Sequence, residues 1–435
     1  MATNNIAIIG GGAAGFFIAA NIRRNNPDTG IIIFEKAKNV LNKVKISGGG
    51  RCNLSNSFLE IKDLSHAYPR GHRLMKKLFK SFDHIKTYEW FENKGVKLTT
   101  QPDQCVFPAS QDSESIIMCL KREAQKNGVE IRTQHEVTKI EKMEDGSFLL
   151  SFGSDNIPSY KANRVAVTSG GAPLSKDLQY LQTIKHHTEP SVPSLYTFNI
   201  KSDAIRQLMG IVIENATVWI PGTKFKSSGA LLFTHWGMSG PAILKLSSYA
   251  ARWIHENNYK FTLQVCWIEN NNTELVSEQI KNIQNQHSIK LISNLCPYQL
   301  PQRLWNHLLE KSNLSLDKRW GEIGKKGINK LASILTSDIY EVDGKSRFRD
   351  EFVTCGGISL NAISHNTLES KCCPGLFFAG EVLDIDAITG GFNLQAAWTT
   401  GYTVAKNISD NLYKEYTSLK SRELEELPRF RVMSW

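Results

Sequence analysis

Gly10, Gly12 and Gly15 stand in the order G-x-G-x-x-G within NIAIIGGGAAGFFIAANIRRN, directly after the apolar run Ile6 to Ile9. The pattern predicts a buried strand, a glycine turn and a helix. Those positions suit a pyrophosphate. The first glycine permits the tight turn, the second lets backbone N–H groups approach phosphate oxygens, and the third lets helix and strand pack closely. The helix start adds unpaired donors and a positive dipole end. A second run, GIIIFEK, ends at Glu35, where an acid can accept both ribose hydroxyls of an adenosine and repels a 2′-phosphate. Together these signals predict an adenine dinucleotide site; the alternative is a glycine-rich turn in an unrelated βαβ unit.

Two further glycine clusters carry potential chemistry. VKISGGGRCNLSN (44–56) holds three consecutive glycines followed by Arg51, Cys52 and Asn53. It can be a linker, a phosphate cradle or a loop lying against a cofactor ring. Far along the chain, GLFFAGEVLDIDAITGGFNLQAAWTTGYTVAKNI (375–408) predicts a short buried strand from Leu376 to Ala379 and an acid-bearing turn at Gly380-Glu381. Gly390-Gly391 then precedes a helix from about Asn393 to Ile408, with a slim face of Ala396, Ala397, Thr400, Gly401 and Ala405. A helix start above Gly391 would favour the negative charge that a reduced flavin carries near N1 and O2.

With these stretches in place the chain resembles the BaiN/RdsA (YhiN-like) family of NAD(P)/FAD-dependent oxidoreductases. It carries in order GGGAAG, SGGGRCN, VFPAS, LFTHWGMSGP, VTCGGISL and GLFFAGEVLDIDAITGGFNLQAAW. It departs from the family pattern in LNKVKI, which retains Lys43 where a Gly-Arg-Lys triplet is usual, and in TSGGAPLSK, where ATGG with a following Tyr-Pro is common. The resemblance implies an FAD shell made by Gly10, Gly12, Ala13, Ala14, Gly15, Glu35, Lys36, Lys43, Ser47, Gly48, Gly49, Gly50, Arg51 and Cys52. It continues through Val137, Gly170, Gly380, Glu381, Asp386, Gly390, Gly391, Phe392 and Asn393. It also implies a reductase of a C=C bond. Members are linked to dihydrouridine formation in ribosomal RNA, and others to small conjugated enones of steroid type. A non-catalytic, redox-sensing flavoprotein is the third option. No second G-x-G-x-x-G lies in a strand–turn–helix setting, so NAD(P)H is expected to dock transiently.

Cys52 and His235 are the candidate catalytic residues. Arg51 and the loop amides would favour a Cys52 thiolate; as a thiol, Cys52 can instead protonate a substrate carbon or merely fill space. His235, in GALLFTHWGMSGP, is expected at the mouth of an inserted domain, as an acid or as a structural residue. Lys43 and Arg51 can pair with pyrophosphate, an anionic substrate or a neighbouring carboxylate. Glu381, Asp384 and Asp386 can orient ribityl or pyrophosphate groups through water. His186-His187 and Cys372-Cys373 lack partners at ligand spacing, so no metal is expected.

These residues need a frame of two or three domains in 435 residues. The reading is an α/β fold. A two-part FAD-binding Rossmann-like domain (1–190 and 350–435) is interrupted by an inserted β-barrel-like domain (191–272 and 336–349) and a helical subdomain (273–335). SLYTFNI, GIVIENATVWI and KFTLQVCWI supply the strand patterns of the insertion, and 411–435 reads as a polar tail. The apolar N-terminus is about 15 residues and interrupted by glycines, short of the roughly 20 that a membrane span needs. Scattered cysteines without metal spacing point to reduced thiols in a cytoplasmic protein.

Net charge is +10, and its distribution is uneven: residues 1–100 hold 16 basic against 7 acidic side chains, and the remainder 36 against 35. Within that stretch 70–95 predicts one amphipathic helix, with Leu74, Met75, Leu78, Phe82 and Ile85 on one side and Arg73, Lys76, Lys77 and Lys80 on the other. The basic side is either a solvated face or a phosphate-binding patch for ribosomal RNA.

Overall fold

A computed structural model describes residues 4–23, 29–171, 175–184, 186–344 and 353–426. They form two compact units, 1–191 with 356–435, and 192–355. The first is built on a five-stranded parallel sheet in the order Leu376–Phe378, Arg164–Val167, Ile6–Ile9, Ile31–Phe34, Glu130–Arg132. Ile6–Ile9 and Ile31–Phe34 are buried at every position, as strands covered on both faces must be. The chain adds one neighbour to the central strand at Ile31 and the other at Arg164. A crevice therefore opens beyond the carboxyl end at Ile9, where an open α/β sheet binds ligands.

Helix Ala13–Asn21 buries residues 14–19. The C-terminal helix passes so close to it that a Cβ on Gly401 would lie 3.0 Å from the Ala14 carbonyl oxygen. That helix runs from Phe392 to Glu426, well past the expected end near Ile408, and takes in much of the stretch read as a tail. No Gly or Pro interrupts 411–426, and Glu415 is tied to Arg164 and to Asn4 Nδ2 (3.1 Å). Residues 427–435 lie outside the described residues.

The single helix expected over 70–95 is two, His72–Leu78 and His84–Glu92. Phe82 is drawn into the core, stacked on Tyr402 at 4.3 Å between centroids, and the Asp83 carboxylate caps the second helix by accepting from Lys86 N at 3.0 Å. The break rotates the second helix out of the first one's periodicity. Ile85, expected inside, is consequently 49% exposed.

The second unit is a six-stranded sheet ordered Phe198–Asn199, Gly237–Ser239, Lys226–Thr234, Val212–Trp219, Lys260–Cys266, Asp338–Asp343, every pairing antiparallel. Asn199 N donates to Gly344 O at 3.1 Å, which brings the two edges together in barrel fashion. Helices Thr273–Gln286, Gln302–Lys311 and Lys325–Ser337 do not make a core of their own. Ile280, Trp305, Leu308 and Leu331 join Val218, Leu231 and Val265 of the strands in one cluster. The helical segment is thus part of the inserted unit, because its apolar stripes have the sheet to cover. Three helices, Asp203–Gln207, Pro241–Tyr249 and Ala251–Glu256, also lie inside the stretch read as β-rich. Pro241 is pre-set for a first helical position. Among the described residues no helix is long and apolar enough to cross a membrane.

Candidate functional site

The dinucleotide end is assembled by the strand ends. Gly10 N donates to Phe34 O at 2.8 Å, and Thr168 Oγ1 donates to the carbonyls of Ile9 (3.0 Å) and Gly10 (2.9 Å). Gly15 is obligatory, since a Cβ there would stand 2.1 Å from Gly10 O. Gly12 caps the helix without a side chain, and nothing lies within 4 Å of where its Cβ would be. The first-turn N–H groups at Ala13 and Ala14 have no intrahelical acceptor, so an anion can meet them. The Glu35 carboxylate accepts from Gly11 N and Ala37 N, each at 2.8 Å. A carboxylate has about four lone-pair positions, so two remain for ribose hydroxyls. Beside it lies a cavity of about 330 Å³ lined by Gly10, Glu35, Lys36, His135, Val137, Ser169 and Tyr180 among others. These residues fit an adenine dinucleotide.

The second glycine loop is brought against the C-terminal helix start. After helix Asn42–Ile46, Gly48, Gly49 and Gly50 all take left-handed backbone angles. The chain then turns inward. Trp398 Nε1 donates to Leu54 O (3.0 Å), Asn56 Nδ2 to Gly390 O (3.0 Å), Tyr68 OH to Phe392 O (2.9 Å) and Ser55 Oγ to Gln395 Oε1 (2.6 Å). Gly391 is the closest approach: with φ 88°, its Cβ would stand 2.1 Å from Ser55 O. Gln395 N bonds to Gly391 O at 3.0 Å, so the helix opens at Gly391. Ala387 N donates to Asn393 Oδ1 (2.9 Å) and Asn393 Nδ2 donates to Ala387 O (3.1 Å), shaping the turn before the helix. A glycine loop and a helix N-terminus thus meet from opposite ends of the chain. This pairing can hold a ring that gains negative charge on reduction.

Several expected ligands are otherwise engaged. Lys43 Nζ meets Glu381 Oε2 at 2.7 Å, an exposed clasp across 338 residues of sequence. Arg51 Nε donates to Gly48 O (3.0 Å) and Nη1 to Gln111 Oε1 (3.3 Å), with its guanidinium 4.3 Å from the Phe107 ring centroid. Asp386, expected to reach a ligand through water, is fully buried and ion-paired to Arg70. Asp384 is 9% exposed. Gly170 has φ 80° and open space beside it.

Cys52 is 0% exposed, covered by protein atoms alone, and burial pushes its thiol up to about 12 while Ser47 beside it pulls the other way. Of the three readings open for Cys52, the thiolate is the one disfavoured, since desolvation outweighs the hydrogen bond with Ser47. His235 stands exposed in the two-residue turn between Lys226–Thr234 and Gly237–Ser239. It lines a cavity of about 420 Å³ with Asn199, Lys201, Arg206 and Trp236. The sequence reading missed Arg70, Thr168 and Gln395. Gln395 is a buried amide among small residues of a helix, and that polar exception was the available signal.

The family described as HI0933-like protein Rossmann domain matches residues 4–407. The chain belongs to that family. This HI0933-like chain is 26% identical over 421 residues to the 3-dehydro-bile acid delta(4,6)-reductase of Clostridium scindens, covering 93% of this chain and 98% of that protein. It is 27% identical over 411 residues to the ribosomal RNA dihydrouridine synthase of Haemophilus influenzae, with 92% and 98% covered. The Escherichia coli K12 protein of the same name is 26% identical over 409 residues, with 92% and 97% covered. The HI0933-like chain thus has relatives at equal distance under two substrate names, both for oxidoreductases of the BaiN/RdsA type.

Proposed function

We propose that this protein is an FAD-dependent reductase of a carbon–carbon double bond, and that it acts in the cytoplasm on a uridine of ribosomal RNA, yielding dihydrouridine. Bound FAD would supply the hydride chemistry, with NAD(P)H as the transient electron donor. Gly10 to Gly15, Glu35, Lys36 and Val137 would hold the adenosine and pyrophosphate. Ser47 to Arg51 and the helix start at Gly391 and Phe392 would hold the ring. The RNA reading is carried by one observation: Arg73, Lys76, Lys77 and Lys80 are all exposed, and none is in an ion pair among the described residues. Cations without carboxylate partners are free to replace counterions on phosphate. A small enone with a single acidic group has no use for a row of four cations.

Of the two candidate acids, the His235 side chain is exposed whereas the Cys52 thiol is covered, so His235 is the one tested first. His235→Gln is expected to lower turnover by roughly 10²-fold or more with flavin content unchanged, the range for a lost general acid. Turnover within about threefold of wild type would remove His235 from that role. The substrate is tested by mass spectrometry of ribosomal RNA from a strain lacking the gene. One dihydrouridine is expected to disappear and to return with the wild-type gene. Unchanged dihydrouridine, with enone-dependent NAD(P)H oxidation by the purified protein, moves the reading to a small-molecule reductase.

A further inference from the structure

Of the eight cysteines six are buried, Cys296 is half-buried, and Cys372 alone is exposed. Cys372 Sγ lies 3.7 Å from His186 Nε2 and 3.5 Å from Ser370 Oγ, and that hydroxyl lies 2.8 Å from the same imidazole nitrogen. Thiol, hydroxyl and imidazole form a closed triangle of residues that the proposed function does not use. Each member is held. The His186 ring packs edge-on against Phe378 at 4.8 Å, and Ser370 Oγ accepts from Cys373 N at 2.8 Å. Burial holds the His186 pKa below its ordinary value, so the ring is neutral and can take a proton. Its Nδ1 is buried without a hydrogen-bond partner, which leaves Nε2 as the ring nitrogen with hydrogen-bond partners among the described residues. A thiol that merely fills space would be covered, as Cys373 beside it is.

We propose that Cys372 is a peroxide-sensitive thiol, activated by His186 directly and through Ser370, and that its oxidation to a sulfenic acid is a modification of this protein. The oxidant is a hydroperoxide. His186 takes the thiol proton, and the sulfur attacks one peroxide oxygen as the O–O bond breaks. The proton then returns to the departing hydroxide. Thiol and hydrogen peroxide become sulfenic acid and water, the sulfur losing two electrons and the peroxide gaining them. The added oxygen falls beside Ser370, whose backbone N donates to Leu376 O at 2.8 Å. The loop feeding the edge strand of the parallel sheet would therefore register the change.

The test treats the full-length protein with hydrogen peroxide and a 1,3-dione that captures sulfenic acids, and locates the adduct by peptide mass spectrometry. Cys372 is expected to be captured first, at a rate falling about tenfold in His186→Gln and severalfold in Ser370→Ala. Equal rates in wild type and both variants overturn the proposal, as does first capture at another cysteine. Should His186→Gln lose its circular dichroism signature, Ser370→Ala decides, and an unchanged rate there is sufficient to overturn it.

Discussion

Cys52 follows three left-handed glycines and is itself left-handed, at φ 64°. That conformation costs a non-glycine residue about 1–3 kcal/mol, which the surrounding packing must offset. The residue types alone left a reactive thiol open beside a space-filling one, because sequence places Arg51 beside it. The backbone turn sends Arg51 onto Phe107 and the sulfur inward, and neither direction is encoded by adjacency. A consequence for stability follows from the thiol's pKa, raised from the ordinary 9.0 to about 12 in the folded protein. Between those values the unfolded chain releases a proton that the native state keeps. The stabilisation is therefore complete below pH 9 and is lost as pH rises toward 12. The slope is at most about 1.4 kcal/mol per pH unit. Urea unfolding at pH 8, 9 and 10 is expected to show wild type losing roughly 1 kcal/mol more than Cys52→Ala over the last step. Parallel losses in the two proteins would show that the thiol is not protected. Cys52→Ala should also keep bound flavin and turnover, as befits a covered side chain.

At the scale of elements, legibility followed period and punctuation. Ile6–Ile9 with its glycines, Ile31–Phe34 with Glu35, and Gly390-Gly391 before a helix were all readable, because each depends on local pattern. What could not be read were partnerships across the chain. Asp386 looks like a ligand beside Glu381 and Asp384; only folding brings Arg70 to it, 316 residues away. Likewise 70–95 has a helical period throughout, and it breaks because Phe82 finds Tyr402 and Asp83 finds Lys86 N. The Arg70–Asp386 pair lends itself to a cycle. Either Arg70→Met or Asp386→Leu alone removes one half of a buried ion pair and is expected to cost about 3–5 kcal/mol in denaturant unfolding. The double variant should cost far less than the sum of the two, since apolar groups of similar volume can replace a buried pair nearly neutrally. Additive losses would mean that the two side chains act independently. Gly391→Ala belongs to the same element. Its Cβ would meet Ser55 O at 2.1 Å, so the helix start must shift, and flavin content of the purified protein is expected to fall with it.

For the whole molecule the question is whether the excess positive charge is a general property or a placed one. Nearly all of it lies within residues 1–100, and Arg73, Lys76, Lys77 and Lys80 are four exposed members of it within one eight-residue stretch, none in an ion pair among the described residues. If they bind phosphates, neutralising each removes one counterion-release term. Changing Arg73, Lys76, Lys77 and Lys80 together to Gln should reduce the slope of log affinity against log salt by about 3, at roughly 0.7 per phosphate on single-stranded RNA. Affinity for a ribosomal RNA fragment, measured from 50 to 200 mM salt, reads this directly. The control is an equal change of net charge elsewhere: Lys281, Lys325, Lys326 and Lys330, exposed in the second unit, changed to Gln. A placed site predicts a flattened slope for the first set and an unaltered one for the control. Equal flattening in both would reduce the attraction to net charge alone, since a field summed over the whole protein does not distinguish where four charges are removed.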